Sequence, residues 1–387
     1  MRIAVVTSQF PIAGEPTRGR PIAQTLRELA REAELRVFVP TAVYPRWALP
    51  RSYTFRPPAP DAASAGLDVE FASYPVLPLV SRPFNGVMCA RALAQPVAAY
   101  KPDVVLSYWL YPDAYGAMRV ALRERLPFVA GARGSDLRVR DAVSRRLTRP
   151  VVRRADRLLV VSADLARLAV EAYGAHAERV RVIPNGCDAS VFKRGDRAAA
   201  RGALALDATS RIVLYVGRLV PEKGLRELVQ ACEALAANDP RLVLVMVGGG
   251  PMQPELERLA AASNGRLRLV GALAPVDVAR WMVASDLLAL PSYSEGHPNV
   301  LVEALACGLP VVSTPVGGIP EVVDAESAVL VPPRDARALG DGIAAALARQ
   351  WDTAALTRRF SRDWRSVAAD TLRACEDARS SSRAQAH

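Results

Sequence analysis

"IVLYVGRLVPEKGLRELVQACEALAANDPRLVLVMVGGG", residues 212–250, sets the architecture. Ile212–Gly217 is a short apolar run closed by glycine, which reads as a buried strand. Leu225, Leu228, Val229 and Cys232 then recur at helical spacing, predicting a helix over Leu225–Ala237. A second apolar run, Leu242–Val247, precedes Gly248-Gly249-Gly250. Strand, helix and strand in this order make a βαβ unit, and repeated units of this kind build a parallel, doubly wound sheet.

The same rhythm extends in both directions. Downstream lie a helix over Met252–Ala262, a strand at Arg268–Val270, a helix over Pro275–Ala284 and strands at Leu287–Pro291 and Pro310–Thr314. Upstream, strands are expected at Arg2–Thr7, Glu34–Pro40, Val69–Tyr74, Val104–Tyr108, Phe128–Gly131, Arg157–Ser162 and Val180–Ile183, with helical patterns at Pro21–Ala33 and Ala163–Tyr173. Residues 41–66, rich in Pro and Arg, read as a long surface loop. "VIPNGCDASVF" (182–192) interrupts the pattern with an Asn-Gly turn signal, so the boundary falls there. The expected organisation is a first α/β domain over 1–187, a second over 188–351, a terminal helix over 352–379 and a flexible tail over 380–387. Ligands of open α/β sheets bind beyond the carboxyl ends of the strands, where functional residues are therefore sought.

Bulk properties narrow the class. A chain of 387 residues exceeds one ordinary core. Met1–Ser8 reads as a first strand rather than a secretory signal, and no apolar run approaches the ~18 residues of a membrane-spanning helix. The five cysteines are scattered without a Cys-x-x-Cys pair, which suggests neither a disulfide framework nor a zinc site. A cytoplasmic protein is expected. Residues 1–187 hold 27 Arg/Lys against 16 Asp/Glu, whereas 188–387 hold 23 of each, so all the net positive charge lies in the first half. Such a half attracts anions: nucleic acid, an anionic leaflet or a phosphorylated substrate. No nucleic-acid-binding motif accompanies it, and none is expected as a partner.

Chemistry concentrates in two stretches of the second half. "SEGHPNVLVEALACGLPVVST" (294–314) carries Glu295 in a turn and Glu303 inside a short helix that Pro298 opens and Gly308 closes. Carboxylates accept hydrogen bonds from vicinal hydroxyls, while the turn's N–H groups and the helix start suit anionic oxygens. "VGRLVPEKG" (216–224) places Arg218 and Lys223 at the end of a strand and the start of a helix, where they suit phosphate.

These motifs, in company with "VIPNGCDASVF", "VGGGP", "VGAL" and "GGIPEVV", resemble the family 4 glycosyltransferases of the GT-B fold across most of residues 180–325. The resemblance implies two Rossmann-like domains facing across a cleft, with a C-terminal helix returning to the first domain. It implies a retaining, metal-independent transfer from a UDP- or GDP-activated sugar to a hydroxyl acceptor, lipid-linked or anionic, in envelope polysaccharide or glycolipid assembly. Peripheral contact of the basic first domain with an anionic inner membrane face belongs to the same expectation. The nucleotide-sugar is a co-substrate, and no cofactor is expected. The absence of any Asp-x-Asp agrees with metal independence.

By that resemblance Arg218 and Lys223 hold the diphosphate and Glu303 the ribose. Glu295 and the backbone of Gly296, His297, Pro298 and Asn299 hold the transferred sugar, and the base lies near Val270, Gly271 and Leu273. Glu295, Arg218 and Lys223 are the expected catalytic set. Many relatives carry a first-domain histidine before Gly-x-Asp; here "VAGARGSDLR" puts Arg133 in its place, followed by Ser135 and Asp136. Arg133 is a candidate for donor contact and Asp136 for acceptor positioning, with Gly14, Gly19 and Trp109 as further cleft residues. "VGGGP" reads equally well as a plain strand-to-helix turn. Trp109, Tyr111 and Asp113 line either an acceptor site or the core.

Two enzyme alternatives stand against this reading. A GT-B sugar-nucleotide epimerase is expected to use several cleft histidines, and the chain has three in all. A dinucleotide-dependent oxidoreductase is expected to show Gly-x-Gly-x-x-Gly after the first strand, where only Gly14 and Gly19 occur. A non-catalytic nucleotide-sugar-binding protein is the third alternative.

Overall fold

The computed structural model describes residues 1–12, 18–45, 47, 66–78, 80–139, 141–358 and 362–385. The chain divides into two compact units, one of Met1–Asn185 with Trp364–His387 and one of Gly186–Asp363.

The first unit alternates strands and helices: β1 (Arg2–Val6), α1 (Arg20–Leu29), β2 (Glu34–Val43), β3 (Asp68–Pro75), α2 (Asn85–Tyr100), β4 (Val104–Tyr108), α3 (Tyr115–Glu124), β5 (Phe128–Ala132), α4 (Ala142–Arg154), β6 (Arg157–Val160), α5 (Ala163–Tyr173) and β7 (Val180–Val182). Its sheet runs β3-β2-β1-β4-β5-β6-β7, with every pairing parallel. The central strands β4 and β5 are buried along their whole length, as a sheet covered on both faces requires. One face packs Leu93, Val97, Val151 and Leu165; the other packs Leu26 and Leu29.

The second unit repeats the plan with α6 (Arg197–Ala203), β8 (Arg211–Val216), α7 (Leu225–Ala236), β9 (Leu242–Val247), α8 (Gln253–Ala262), β10 (Leu267–Gly271), α9 (Pro275–Ala284), β11 (Leu287–Leu290), α10 (Asn299–Ala306), β12 (Val311–Ser313), β13 (Ala328–Leu330), α11 (Ala336–Ala348) and α12 (Thr353–Arg358). Its sheet, β10-β9-β8-β11-β12-β13, is parallel throughout. The last helix, α13 (Trp364–Gln385), rejoins the first unit, where Trp364, Val367 and Cys375 share a core with Leu26 of α1.

In each sheet the strand order reverses beside the first strand, between β1 and β4 and again between β8 and β11. Crossovers leave to opposite faces there, which opens a crevice at the carboxyl ends. These sheets have the doubly wound, Rossmann-like pattern that the sequence predicts.

Several elements depart from expectation. β2 continues to Val43, so the expected loop over 41–66 begins later; most of it lies outside the described residues. α2 forms with Pro96 inside it, and α4 forms across the arginine-rich run with Pro150 inside, because buried Leu93, Val97, Val151 and Val152 anchor them. The terminal helix breaks into α12 and α13. α13 extends to Gln385, through most of the expected tail, since "SSSRAQ" contains no glycine or proline to stop it.

Candidate active site

The ends of β8 and β11 carry Arg218, Lys223, Glu295 and the residues up to Asn299. After β8 the chain turns so tightly against its neighbours that side chains do not fit. A Cβ at Gly248, whose φ is 141°, would stand 1.9 Å from the Gly217 carbonyl oxygen. The Gly217 N–H donates to the Val247 carbonyl at 3.0 Å, the Gly248 N–H to Gly271 at 2.8 Å and the Leu219 N–H to Gly249 at 2.9 Å. The triple glycine therefore closes strand ends onto one another and fixes the backbone that carries Arg218. Gly224, at φ 66°, caps the start of α7 and brings Lys223 beside the loop after β11, where the Tyr293 N–H donates to the Glu222 carbonyl at 2.9 Å.

Lys223 and Glu295 meet as an ion pair, with side chains 17% and 10% exposed. The Lys223 ammonium donates to Glu295 Oε1, and the Ser292 hydroxyl donates to the same oxygen at 2.7 Å. Ser292 is itself fixed by Thr314, whose hydroxyl donates to its carbonyl at 2.6 Å. Glu295 Oε2 has no hydrogen-bond donor among the described residues, so this oxygen keeps its acceptor capacity. The sequence reading assigns Lys223 to phosphate and Glu295 to sugar as separate groups; the structure couples them.

Arg218 is exposed, and its guanidinium has no carboxylate partner among the described residues. Beneath it the buried Tyr215 hydroxyl donates to the Arg218 carbonyl at 2.8 Å. Burial raises the Tyr215 pKa, the Glu295 charge adds to the rise, and Arg218 opposes it. Tyr215 escaped the sequence reading because an apolar strand gives no sign that one of its rings ends in the crevice. Gly296 and His297 are half-buried in the loop between β11 and α10, Pro298 is the residue just before α10, and Asn299, also half-buried, opens that helix. Glu303, half-buried, lies one turn into α10, and Gly308 closes that helix at φ 76°. Val270 and Gly271 end β10, two strands from β8 and so about 10 Å along the sheet, and Leu273 lies in the loop that follows.

At the β1/β4 crevice the groups are turned inward. Arg133 stacks 4.9 Å over the Tyr108 ring and donates to the Asn185 side-chain oxygen. Burial lowers its pKa, against the pull of Tyr108 and Asp136. Asp136, expected to position an acceptor, is 2% exposed; its carboxylate accepts the Arg133 N–H at 3.0 Å and the Gly134 N–H at 2.9 Å. It braces its own loop, because two peptide N–H groups there need an acceptor. Ser135 is exposed. Trp109 is half-buried and adopts φ 74°, a strained conformation for a bulky residue, immediately after β4. Gly19, at φ 59°, starts α1, where a Cβ would meet the Gln9 carbonyl oxygen at 2.0 Å. Gly14 lies outside the described residues. Asp113 is fully buried and accepts the Ser8 N–H across the switch point. Burial holds its pKa up at about 7, opposed by the Ser8 hydrogen bonds and by Arg18. The Asp113–Ser8 link joins positions 105 apart in the chain and has no local sequence signal.

Two family models match the chain: "Glycosyl transferases group 1" over residues 196–364 and "Glycosyltransferase Family 4" over residues 20–191. The chain belongs to the family 4 glycosyltransferases. Among curated relatives, D-inositol 3-phosphate glycosyltransferase of Nocardia farcinica is 34% identical over 250 residues, covering 62% of this chain and 55% of that one. The chain thus spans about half the length of that relative. The putative teichuronic acid biosynthesis glycosyltransferase TuaC of Bacillus subtilis is 29% identical over 352 residues, 89% of this chain and 88% of its own. Sucrose-phosphate synthase from Thermosynechococcus elongatus superposes with a TM-score of 0.74 at 22% identity, covering 96% of this chain and 97% of that one. Anabaena HepE in complex with UDP-glucose superposes at 0.72 and 21%, covering 96% and 98%. At these identities the structures show the shared GT-B fold.

Proposed function

We propose that this family 4 member transfers a sugar from a UDP- or GDP-activated donor to a hydroxyl acceptor, with retention of anomeric configuration and without a metal ion. The observation that carries the reading is the Ser292–Glu295–Lys223 cluster, with the exposed Arg218, which has no ion-pair partner among the described residues, at the end of the neighbouring strand β8. The open oxygen of Glu295 accepts hydrogen bonds from sugar hydroxyls. Arg218 grips diphosphate oxygens bidentately, and the Lys223 ammonium, already in place, adds a point charge. As the glycosidic bond breaks, the departing nucleoside diphosphate gains charge, so fixed cations stabilise the transition state more than the ground state. The acceptor hydroxyl attacks from the face that the diphosphate leaves. HepE, a neighbour in fold, is described in complex with UDP-glucose, which supports a nucleotide-sugar donor.

The first unit supports an anionic or lipid-linked acceptor in envelope polysaccharide or glycolipid assembly, met at an anionic membrane face. α4 presents Arg145, Arg146, Arg149 and Arg154, and Arg82 pairs with Asp141 at its start at 2.7 Å. Next to Arg82 in the chain stand Phe84, 63% exposed, and Val80, 71% exposed, an apolar and basic combination suited to a membrane interface. The name of TuaC points the same way. No helix among the described residues is long and apolar enough to cross a membrane.

The test is thermal-shift screening against UDP-, GDP-, ADP- and dTDP-sugars with EDTA present, followed by product analysis for anomeric configuration. Stabilisation by one nucleotide class, lost in Arg218→Ala and Glu303→Gln, is expected. A normal response from both variants would dismiss the site, and no response to any nucleotide would dismiss the function.

A further inference from the structure

The second half of the chain is electrically neutral as a whole, yet its arginines are not spread evenly. At the amino ends of β8, β11 and β12, the end of the sheet opposite Arg218 and Lys223, a cavity of about 400 Å³ is lined by Arg194, Arg197, Arg211 and Arg349. Its apolar lining comes from Met282, Leu309, Leu347 and Trp351. A second hollow of about 640 Å³ shares Arg197, Arg211 and Asp286 with it and adds Arg201 and Arg241.

Local pairing leaves this face with unspent positive charge. Asp286 takes Arg197 and, at 2.9 Å, Arg201, and its carboxylate also accepts the Ile212 N–H at 2.7 Å. Asp239 takes both Arg211, at 3.2 Å, and Arg241, at 2.9 Å. Four guanidiniums thus share two carboxylates. Arg349 has only neutral partners among the described residues: it donates to the Ala325 carbonyl at 2.7 Å and lies 4.1 Å over the Trp351 ring. Arg194 is exposed and has no ion-pair partner among the described residues. The acids nearest in sequence turn their carboxylates to nearby backbone N–H groups: Asp196 to the first turn of α6, Asp352 to that of α12 and Asp207 to its own loop.

We propose that this rear cavity is a second ligand site, which takes a phosphorylated small molecule or lipid headgroup through Arg194 and Arg349 and seats its carbon skeleton on Leu347 and Trp351. Guanidinium forks match phosphate oxygens bidentately, and a cavity of this size, lined mainly by arginines with a smaller apolar wall, has room for a small anionic ligand. The inference is independent of the donor reading, since the two sites lie at opposite ends of β8, a strand of about 20 Å.

The experiment titrates the full-length protein calorimetrically, at physiological salt, with glycerol 3-phosphate and with glycerol. In a parallel arm it is sedimented with phosphatidic acid/phosphatidylcholine vesicles and with pure phosphatidylcholine vesicles. Binding of glycerol 3-phosphate but not glycerol identifies a soluble ligand class. Binding only to the phosphatidic acid vesicles identifies a lipid headgroup. In either case the paired substitutions Arg194→Glu and Arg349→Ala, and separately the cavity-filling Leu347→Trp, are expected to weaken binding at least tenfold, while Arg218→Ala leaves it unchanged. Retained thermal melts establish that the variants fold. The proposal is overturned if neither probe binds, if the rear variants that fold bind like the unsubstituted protein, or if Arg218→Ala weakens binding as much as they do, which would place the phosphate in the front crevice.

Discussion

The two switch points share one topology and opposite electrostatics. At β8/β11 the charges are left accessible: Arg218 is exposed, and Glu295 keeps one oxygen free of donors among the described residues. At β1/β4 they face the protein: Asp113 is fully buried, Asp136 is 2% exposed, and Arg133 is stacked on Tyr108 and bonded to Asn185. Topology supplies a crevice in both units, but burial decides whether its carboxylates are reachable: Asp113 Oδ1 and Asp136 Oδ2 also lack a hydrogen-bond partner among the described residues, yet both side chains are buried. A buried carboxylate turned to loop N–H groups orders the backbone; a partly exposed one keeps an acceptor within reach of solvent.

Substitutions separate these two roles, and the largest effect is expected from Gly248→Val. Its Cβ would stand 1.9 Å from a carbonyl, so the strand ends must separate, at roughly 3 kcal/mol or more. Denaturant unfolding should show the loss, and nucleotide-induced stabilisation should vanish with it. Next is Lys223→Ala, which leaves Glu295 a mostly buried carboxylate without its cation and should cost about 2–3 kcal/mol. Adding Glu295→Gln should return part of that stability but none of the nucleotide response. A double-mutant cycle that showed no coupling would break the comparison, because the pair would then be incidental.

Arg218→Ala should leave the melting temperature within about 1 °C, since the side chain has no ion-pair partner among the described residues, yet weaken nucleotide binding roughly 30- to 100-fold through the lost charge-assisted bonds. The inward-facing crevice is tested by pH rather than by a lost contact. Asp113 is held up at about 7 in the fold, against an ordinary value near 4 in the unfolded chain. Between those values the native state keeps a proton that the unfolded chain has lost, so this group's contribution to stability falls as pH rises from about 4 to about 7 and is level above. Asp113→Asn should remove that slope, so the variant gains on the unsubstituted protein across the window in thermal melts at a series of pH values. Parallel curves would show that Asp113 does not titrate there.

Much of the fold was legible because parallel strands buried on both faces are written as continuous apolar runs: β4 and β9 fall on the residues their sequence predicts. The terminal strand β13, three residues long, is too short for such a signal. α2 and α4 were hidden by Pro96, Pro150 and a run of arginines, and only the neighbours of Val97 and Val151 make them worth forming. The candidate site was legible as residue types at strand ends. Its pairing was not: Lys223 and Glu295 are 72 positions apart, and nothing near either announces the other.

By itself, then, the sequence determined two βα domains, a break near Asn185, and the positions of Arg218, Lys223, Glu295 and Glu303 after strands or inside a short helix, because strand, helix and turn signals are local. Tertiary structure decided which charges are spent. It paired Lys223 with Glu295, turned Asp136 and Asp113 inward, and gathered Arg194, Arg197, Arg211 and Arg349 around one cavity of a half whose net charge is zero. Hydrogen bonding and Coulomb attraction act over a few ångströms in space, and only the folded chain sets those distances.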